Sequence, residues 1–273
     1  VLATAIWGGT FVAIRDTVRT LDPGVLVLAR FACAAIVLAP FVVVRRLAPR
    51  AWWGAALSGL AAAGGYLFQA IGLTQTSAGS SAFLTCAGTA FAAPLAWALL
   101  RQRPGRAVVT GLVIALAGSA LLSVGPARAG GAGIGRGELW TLLGAVCFAL
   151  QILVLARIAP RADPLALAGV QAIAMTLAFA PFAHHVRAAL AALDAAGWWR
   201  FAYLALPASV VAPWLQIVSQ RRLPAARIAL LFALEPVFAL AFALLLGGER
   251  FAVPWYAGAA LILLGVVWGE TAP

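Results

Sequence analysis

Charge is scarce in this sequence. Only 10% of its 273 residues are Asp, Glu, Lys or Arg, against roughly 25% in a soluble globular domain. Together with 64% hydrophobic residues and a mean hydropathy of +1.01, that scarcity excludes a water-soluble enzyme, a disordered chain and a coiled coil. Lysine is absent, so all 19 basic residues are arginines. Without lysine there is no G-x-x-x-x-G-K-[ST] loop, and a primary pump within this chain is excluded. The only two histidines, His184 and His185, are neighbours in one loop. No H-E-x-x-H, no G-x-S-x-G and no aspartate dyad inside an apolar run is present, which leaves a polytopic membrane enzyme without nucleophile, base or metal cluster. Cys33, Cys86 and Cys147 all fall in apolar stretches, with no C-x-x-C and no metal spacing. They read as small buried apolar residues and say nothing of a redox compartment. No cofactor and no metal site is expected.

What the sequence has in abundance is long apolar runs. A helix needs about 20 apolar residues to cross the hydrocarbon core, and polar punctuation divides the chain into ten such runs. The first, Val1 to about Ile14, is short for a span, and residues are read as missing from its start. The second covers Gly24 to Val44 and the third Trp52 to about Leu73; the fourth, after a turn at Thr74 to Ser77, ends at Leu100. The fifth runs from Ala107 to Val124, the sixth from Gly137 to Ala156, and the seventh reaches Ala183. The eighth extends from Trp198 to Arg221-Arg222, the ninth from Ala225 to Leu246 and the tenth from Val253 to Gly269. No signal peptide is seen, since there is no basic n-region and no A-x-A cleavage site. The fold class expected is all-α, an integral membrane protein of ten transmembrane helices.

The formal net charge of +11 is read as a positive-inside signal rather than as a nucleic-acid surface. One set of alternate loops, including Arg45, Arg46, Arg101, Arg103, Arg221 and Arg222, holds ten arginines, and the other, including Arg15, Arg128 and Arg187, holds seven. The richer set is placed in the cytoplasm, which puts both termini inside a bacterial-type inner membrane. Trp52-Trp53 and Trp198-Trp199 open equivalent helices at opposite faces, as aromatic belts do.

The two halves match each other. A shift of 147 residues sets Gly111 on Gly258, Gly118 on Gly265, Gln69 on Gln216 and Phe91 on Phe238. Earlier in each half a shift of 141 pairs Asp22-Pro23 with Asp163-Pro164. The chain thus divides into a repeat at 1–124, a Gly-rich linker at 125–136 and a second repeat at 137–269. Five helices per copy is an odd number, so the second copy must enter the membrane from the opposite side. Inverted repeats of this kind hold a substrate near the midplane and rock around it. A membrane enzyme has no comparable need for them.

Several motifs resemble the drug/metabolite transporter superfamily in its EamA-like branch. Trp7-Gly8-Gly9-Thr10-Phe11 is similar to the family's W-G-x-x-F, and Asp22-Pro23 with Arg30-Phe31 to the start of its second helix. Thr76-Ser77-Ala78 through Thr85 resembles the start of its fourth helix; Glu235-Pro236 and Gly248-Glu249-Arg250 resemble its E-P-x-x and G-E-R signatures. The first half departs from these, with Gly88-Thr89 opposite Glu235-Pro236 and Gln102 in place of the G-E-R glutamate. The resemblance implies a ten-helix carrier that exports or exchanges small metabolites, often amino acids, and aromatic ones in YddG-like members.

Polar side chains within spans should face a cavity or a neighbouring helix. Glu235 is read as the only carboxylate inside a span, either a cation or proton site beside a helix broken by Pro236 or a buried carboxyl satisfied locally. Arg30 and Arg227 lie within about two turns of their helix starts, and snorkelling to the interface is the simpler account of both. Gln69 and Gln216 either read the amino and carboxylate groups of an amino acid as an amide pair or bond between helices. Tyr66 shares a face with Gln69, Trp214 sits near Gln216, Trp7 could stack on a planar substrate, and Gln151 faces the same region. Ser81, Thr85 and Thr89 form a stripe on the fourth helix that means either close packing or a cavity wall. Gly111/Gly118 and Gly258/Gly265 provide tight packing of the fifth and tenth helices with each other or a dimer face. The partners expected are a small-molecule substrate and the lipid bilayer, for a monomer or homodimer. The function expected is secondary transport of a neutral or zwitterionic metabolite; a sugar phosphate would want several midplane cations. The alternatives are a membrane enzyme and a channel or scaffold.

Overall fold

The computed structural model describes residues 1–123, 135–247 and 253–272; most of the Gly-rich linker and the Gly248-Glu249-Arg250 turn lie outside these. All regular structure among the described residues is helical. The helices are α1 (Leu2–Thr17), α2 (Pro23–Val44), α3 (Pro49–Leu73), α4 (Ala78–Ala90), α5 (Ala92–Leu100), α6 (Arg106–Ser123), α7 (Arg136–Ile158), α8 (Pro164–Ala178), α9 (Ala183–Ala191), α10 (Ala195–Ala205), α11 (Ala212–Gln220), α12 (Ala225–Phe232), α13 (Glu235–Gly247) and α14 (Val253–Thr271).

Local chemistry sets several of these boundaries. Asp22 caps α2 by accepting from the Gly24 and Val25 N–H groups at 2.7 and 3.2 Å. Asp163 caps α8 in the same way, from Leu165 and Ala166 at 3.0 and 3.1 Å. In both, proline follows at the first helical position, where its missing N–H costs nothing. The eighth predicted run is broken. Pro207 opens a π-helical turn, Pro207–Val211, between α10 and α11. The ninth breaks at Ala233 and Leu234, with Pro236 in the first turn of α13. The fourth, expected as one helix, breaks at Phe91, whose N–H bonds back only three residues to Gly88; Pro94 lies in the first turn beyond. The seventh ends sooner than expected: α8 stops at Ala178, and the chain bends by 58° at the break that follows, at Phe179, before continuing into α9.

Seven helices among the described residues are long and apolar enough to cross a bilayer, and the bent α8–α9 pair would make an eighth. The surface is apolar, with Ile36, Leu245, Val253 and Trp199 each more than 70% exposed. The interior holds Arg30, Glu235 and five glutamines, all at most 8% exposed. A protein in water distributes these groups the other way round; lipid around the helices accounts for both.

Close backbone approaches fix the packing. α6 and α14 run antiparallel, with a Cβ built on Gly111 only 2.3 Å from the Gly265 carbonyl oxygen and one on Gly118 2.5 Å from that of Gly258. The paired glycines therefore serve contact within one chain. α1 lies on α13 at Gly8, where a Cβ would meet Phe238 at 2.4 Å, and α4 lies on α7 at Gly88, where it would meet Ala145 at 2.1 Å. α2 packs on α8, and α3 on both α7 and α8. Helices 1, 3, 4, 7, 11, 12 and 13 enclose a central space.

Candidate substrate cavity

The π-helical turn in the eighth run fixes one of the lining side chains. The Ala212 N–H bonds to Pro207 O, five residues back, so the Ala208 carbonyl loses its usual donor. The next N–H along would be that of residue 213, which is proline. The indole Nε1–H of Trp7 fills the gap and donates to Ala208 O at 3.1 Å. This tie fixes Trp7, whose ring meets Phe232 edge-on at 5.2 Å. Thr10, one turn along α1, donates to Trp7 O at 2.7 Å.

The cavity has a volume of about 40 Å³ and is lined by Trp7, Thr10 and Phe11 of α1, Ala62, Tyr66 and Gln69 of α3, Thr85 of α4, Phe148 and Gln151 of α7, Gln216 of α11, Phe232 of α12 and Glu235 of α13. By the 10–15 Å³ each needs, that is room for about three water molecules. Five of the lining side chains are aromatic; Tyr66 meets Phe148 edge-on at 5.0 Å and Phe31 at 4.8 Å. Six others are polar. Gln69 Nε2 donates to Thr85 Oγ1 at 3.1 Å. Gln151 and Gln216 exchange two amide hydrogen bonds, at 3.2 and 3.0 Å. The Glu235 side chain is 6% exposed and has no ion-pair partner among the described residues. A larger groove of about 710 Å³ lies between α4–α5 and α6, but apolar side chains such as Phe91, Trp97 and Val113 line it, and Arg103 is its one charged group.

Six of the seven expected substrate residues, Trp7, Tyr66, Gln69, Thr85, Gln151 and Gln216, thus share this cavity with Glu235. Gln69 and Gln216 do not bond each other; each holds a different partner. Trp214 does not line the cavity. Two residues before Gln216 on the same helix, it stands about 200° round the axis and points away. Arg30 is the clearest correction. It does not snorkel: it is 1% exposed, and its Nε donates to Ser209 Oγ at 2.8 Å. The π-helical turn brings that serine inward, where it also donates to Leu204 O at 2.7 Å. Arg227 stays at the rim, about 40% exposed, 3.6 Å from Glu270. In the fourth-helix stripe, Ser81 shares a hydrogen bond with Thr141 at 3.3 Å, and the Thr89 side chain lies outside those described.

Some lining residues escape sequence reasoning. Thr10 and Phe11 stand three and four residues after Trp7, and Phe148 three before Gln151, so helical spacing marks them. Phe232 stands 147 residues after Thr85, so the repeat marks it too. Glu138 is a second buried carboxylate, in the first turn of α7, where Thr76 Oγ1 donates to it at 2.7 Å; its place at the very start of a run hid it. Among the described residues no cluster of three His, Cys, Asp or Glu side chains could hold a metal ion.

The chain is similar to known proteins in both sequence and fold. A transporter of Archaeoglobus fulgidus, itself uncharacterized, is 27% identical over 268 residues, covering 97% of this chain and 82% of that protein. A solved crystal structure shares the fold, with a TM-score of 0.73 over 99% of both chains at 18% identity. The model of the EamA-like transporter family matches residues 1–124 and 135–268, nearly the whole chain. This chain is a multi-pass membrane protein and belongs to the EamA-like transporter family.

Proposed function

We propose that this protein is a secondary transporter that moves small neutral or zwitterionic metabolites, amino acids foremost and aromatic ones among them, out of the cell by alternating access. The observation that carries the reading is the central cavity, to which residues 1–124 and 137–269 both contribute walls. In this reading the chain is two inverted five-helix repeats, ten spans in all, with both termini cytoplasmic in a bacterial-type inner membrane. Three features support the repeat: the family model matches in two stretches, Asp22 and Asp163 cap their helices alike, and the repeat-mate glycines meet crosswise on α6 and α14, Gly111 against Gly265 and Gly118 against Gly258. Seven or eight helices meet the length and apolarity needed to cross; α1 and α6, shorter, complete the ten.

Room for three waters is less than the six heavy atoms of alanine, so in this reading loading requires the walls to part. Aromatic rings, three glutamine amides, two threonine hydroxyls and one carboxylate suit an amino acid. Arginines do not line the cavity, which disfavours a phosphorylated sugar. The test is counterflow in proteoliposomes loaded with unlabelled amino acid, following labelled Phe, Thr or Ala. Saturable accumulation is expected for at least one; flat traces for all three would remove the amino-acid reading.

A further inference from the structure

Arg30 is the most costly side chain in the fold. It is 1% exposed and its Nη2 has no hydrogen-bond partner. Only Nε is bonded, to Ser209. The Cζ atom sits 5.0 Å from the centre of the Phe31 ring and 4.9 Å from that of Tyr66. None of the ion pairs among the described residues involves it. Two rings and a hydroxyl do not neutralise a guanidinium, and a buried charge without a counter-charge is strongly unfavourable. Holding Ser209 would not need a charge, since a neutral amide could do so at far lower desolvation cost.

Tyr66 is the only ring that touches both the guanidinium and the cavity. A guanidinium offers a fork of donors that matches a carboxylate in two-point contact. Across the same space stands Glu235, a site for a cationic group. We propose that Arg30 is the receptor for the carboxylate of the transported molecule, reached when the Tyr66 ring moves aside. The inference rests on the transport reading of this cavity and deepens it: one cationic and one anionic pole, bridged by an aromatic wall, select an α-amino acid over its amide or its amine. A phosphate dianion is disfavoured, because a single arginine would face it with Glu235 in the same space.

The test compares phenylalanine, phenylalaninamide, phenethylamine and 3-phenylpropionate at pH 7, by competition in counterflow and by shift of the melting temperature of the purified transporter. Wild type should prefer the acid over its amide by about tenfold or more, as for a hydrogen bond to a charged group. Arg30→Gln should lower the affinity for the acid to that for the amide and leave the amide within about twofold of wild type; Arg30→Lys should restore part of the preference. If Arg30→Gln does not fold, Arg30→Lys alone decides, through a reduced ratio of acid to amide. Equal weakening of acid and amide, or an unchanged ratio, would make Arg30 a structural residue and overturn the assignment. So would a wild type whose melting temperature responds to no carboxylate in the series. Carboxylate binding without counterflow would instead sink the transport reading and spare Arg30. Phenylalanine counterflow with an unchanged ratio in the variants would do the reverse.

Discussion

Residues that stand at matching positions in the two halves divide into two kinds. Asp22 and Asp163 cap their helices with the same pair of backbone hydrogen bonds. On α6 and α14, a Cβ built on Gly111, Gly118 or Gly265 would stand 2.3–2.5 Å from a carbonyl oxygen of the facing glycine. At the cavity the halves differ. Thr85 stands where the second half has Phe232, and Gly88-Thr89 where it has Glu235-Pro236. α3 runs unbroken past Gln69, whereas the matching run breaks at Pro207 before Gln216. Each glutamine bonds within its own half but to a different helix, Gln69 to Thr85 of the fourth run and Gln216 to Gln151 of the sixth, the first of its half. Matching positions hold the frame; mismatched ones put a carboxylate and a threonine into the lining on one side only. An asymmetric molecule such as an amino acid needs an asymmetric site.

That contrast can be broken experimentally. The largest effect should come from the frame: Gly111→Leu and Gly265→Leu each force a side chain into a neighbouring carbonyl and should lower stability by about 1–3 kcal/mol, to a similar extent in either half, as read by thermal unfolding in detergent. A loss in one variant alone would mean that the helices are not equivalent. Next, Glu235→Gln should reduce counterflow about tenfold or more, equivalent to about 1.4 kcal/mol, with the melting temperature kept; full activity would relegate the carboxyl to packing. Asp22→Ala and Asp163→Ala should each cost about 1 kcal/mol and leave substrate affinity alone. The smallest signal belongs to the amides. Double-mutant cycles on melting should give Gln151 with Gln216, and Gln69 with Thr85, a coupling of about 0.6 kcal/mol, the average for polar pairs between membrane helices. Gln69 with Gln216 should give none. A coupling between those two would contradict the partners described here.

The sequence made the apolar runs and most of the cavity legible for one physical reason: lipid tolerates few polar groups, so each glutamine or threonine within a run had to point inward. Asp-Pro pairs marked two helix starts because the cap and the fixed φ of proline act locally. Arg30 was misplaced because its partner Ser209 lies 179 residues away and reaches inward only through an irregular turn; distance from a helix start says nothing of that. Trp214 was misplaced because nearness along a helix is not nearness in direction. Pro236 announced the break in the ninth run, but the break at Phe91 was hidden, since Pro94 follows it inside what reads as unbroken apolar sequence.

The irregular turn at Pro207–Val211 has one more consequence. Its Ala208 carbonyl depends on an indole from the far end of the chain. Withdrawing α1 from that seam would strand an acceptor in a medium with no water, a penalty of about 1–3 kcal/mol. In the transport reading proposed above, the seam would act as a catch that opposes opening on that side. A bound guest can release it only by offering, in the parted form, contacts worth at least as much as the one indole bond it interrupts.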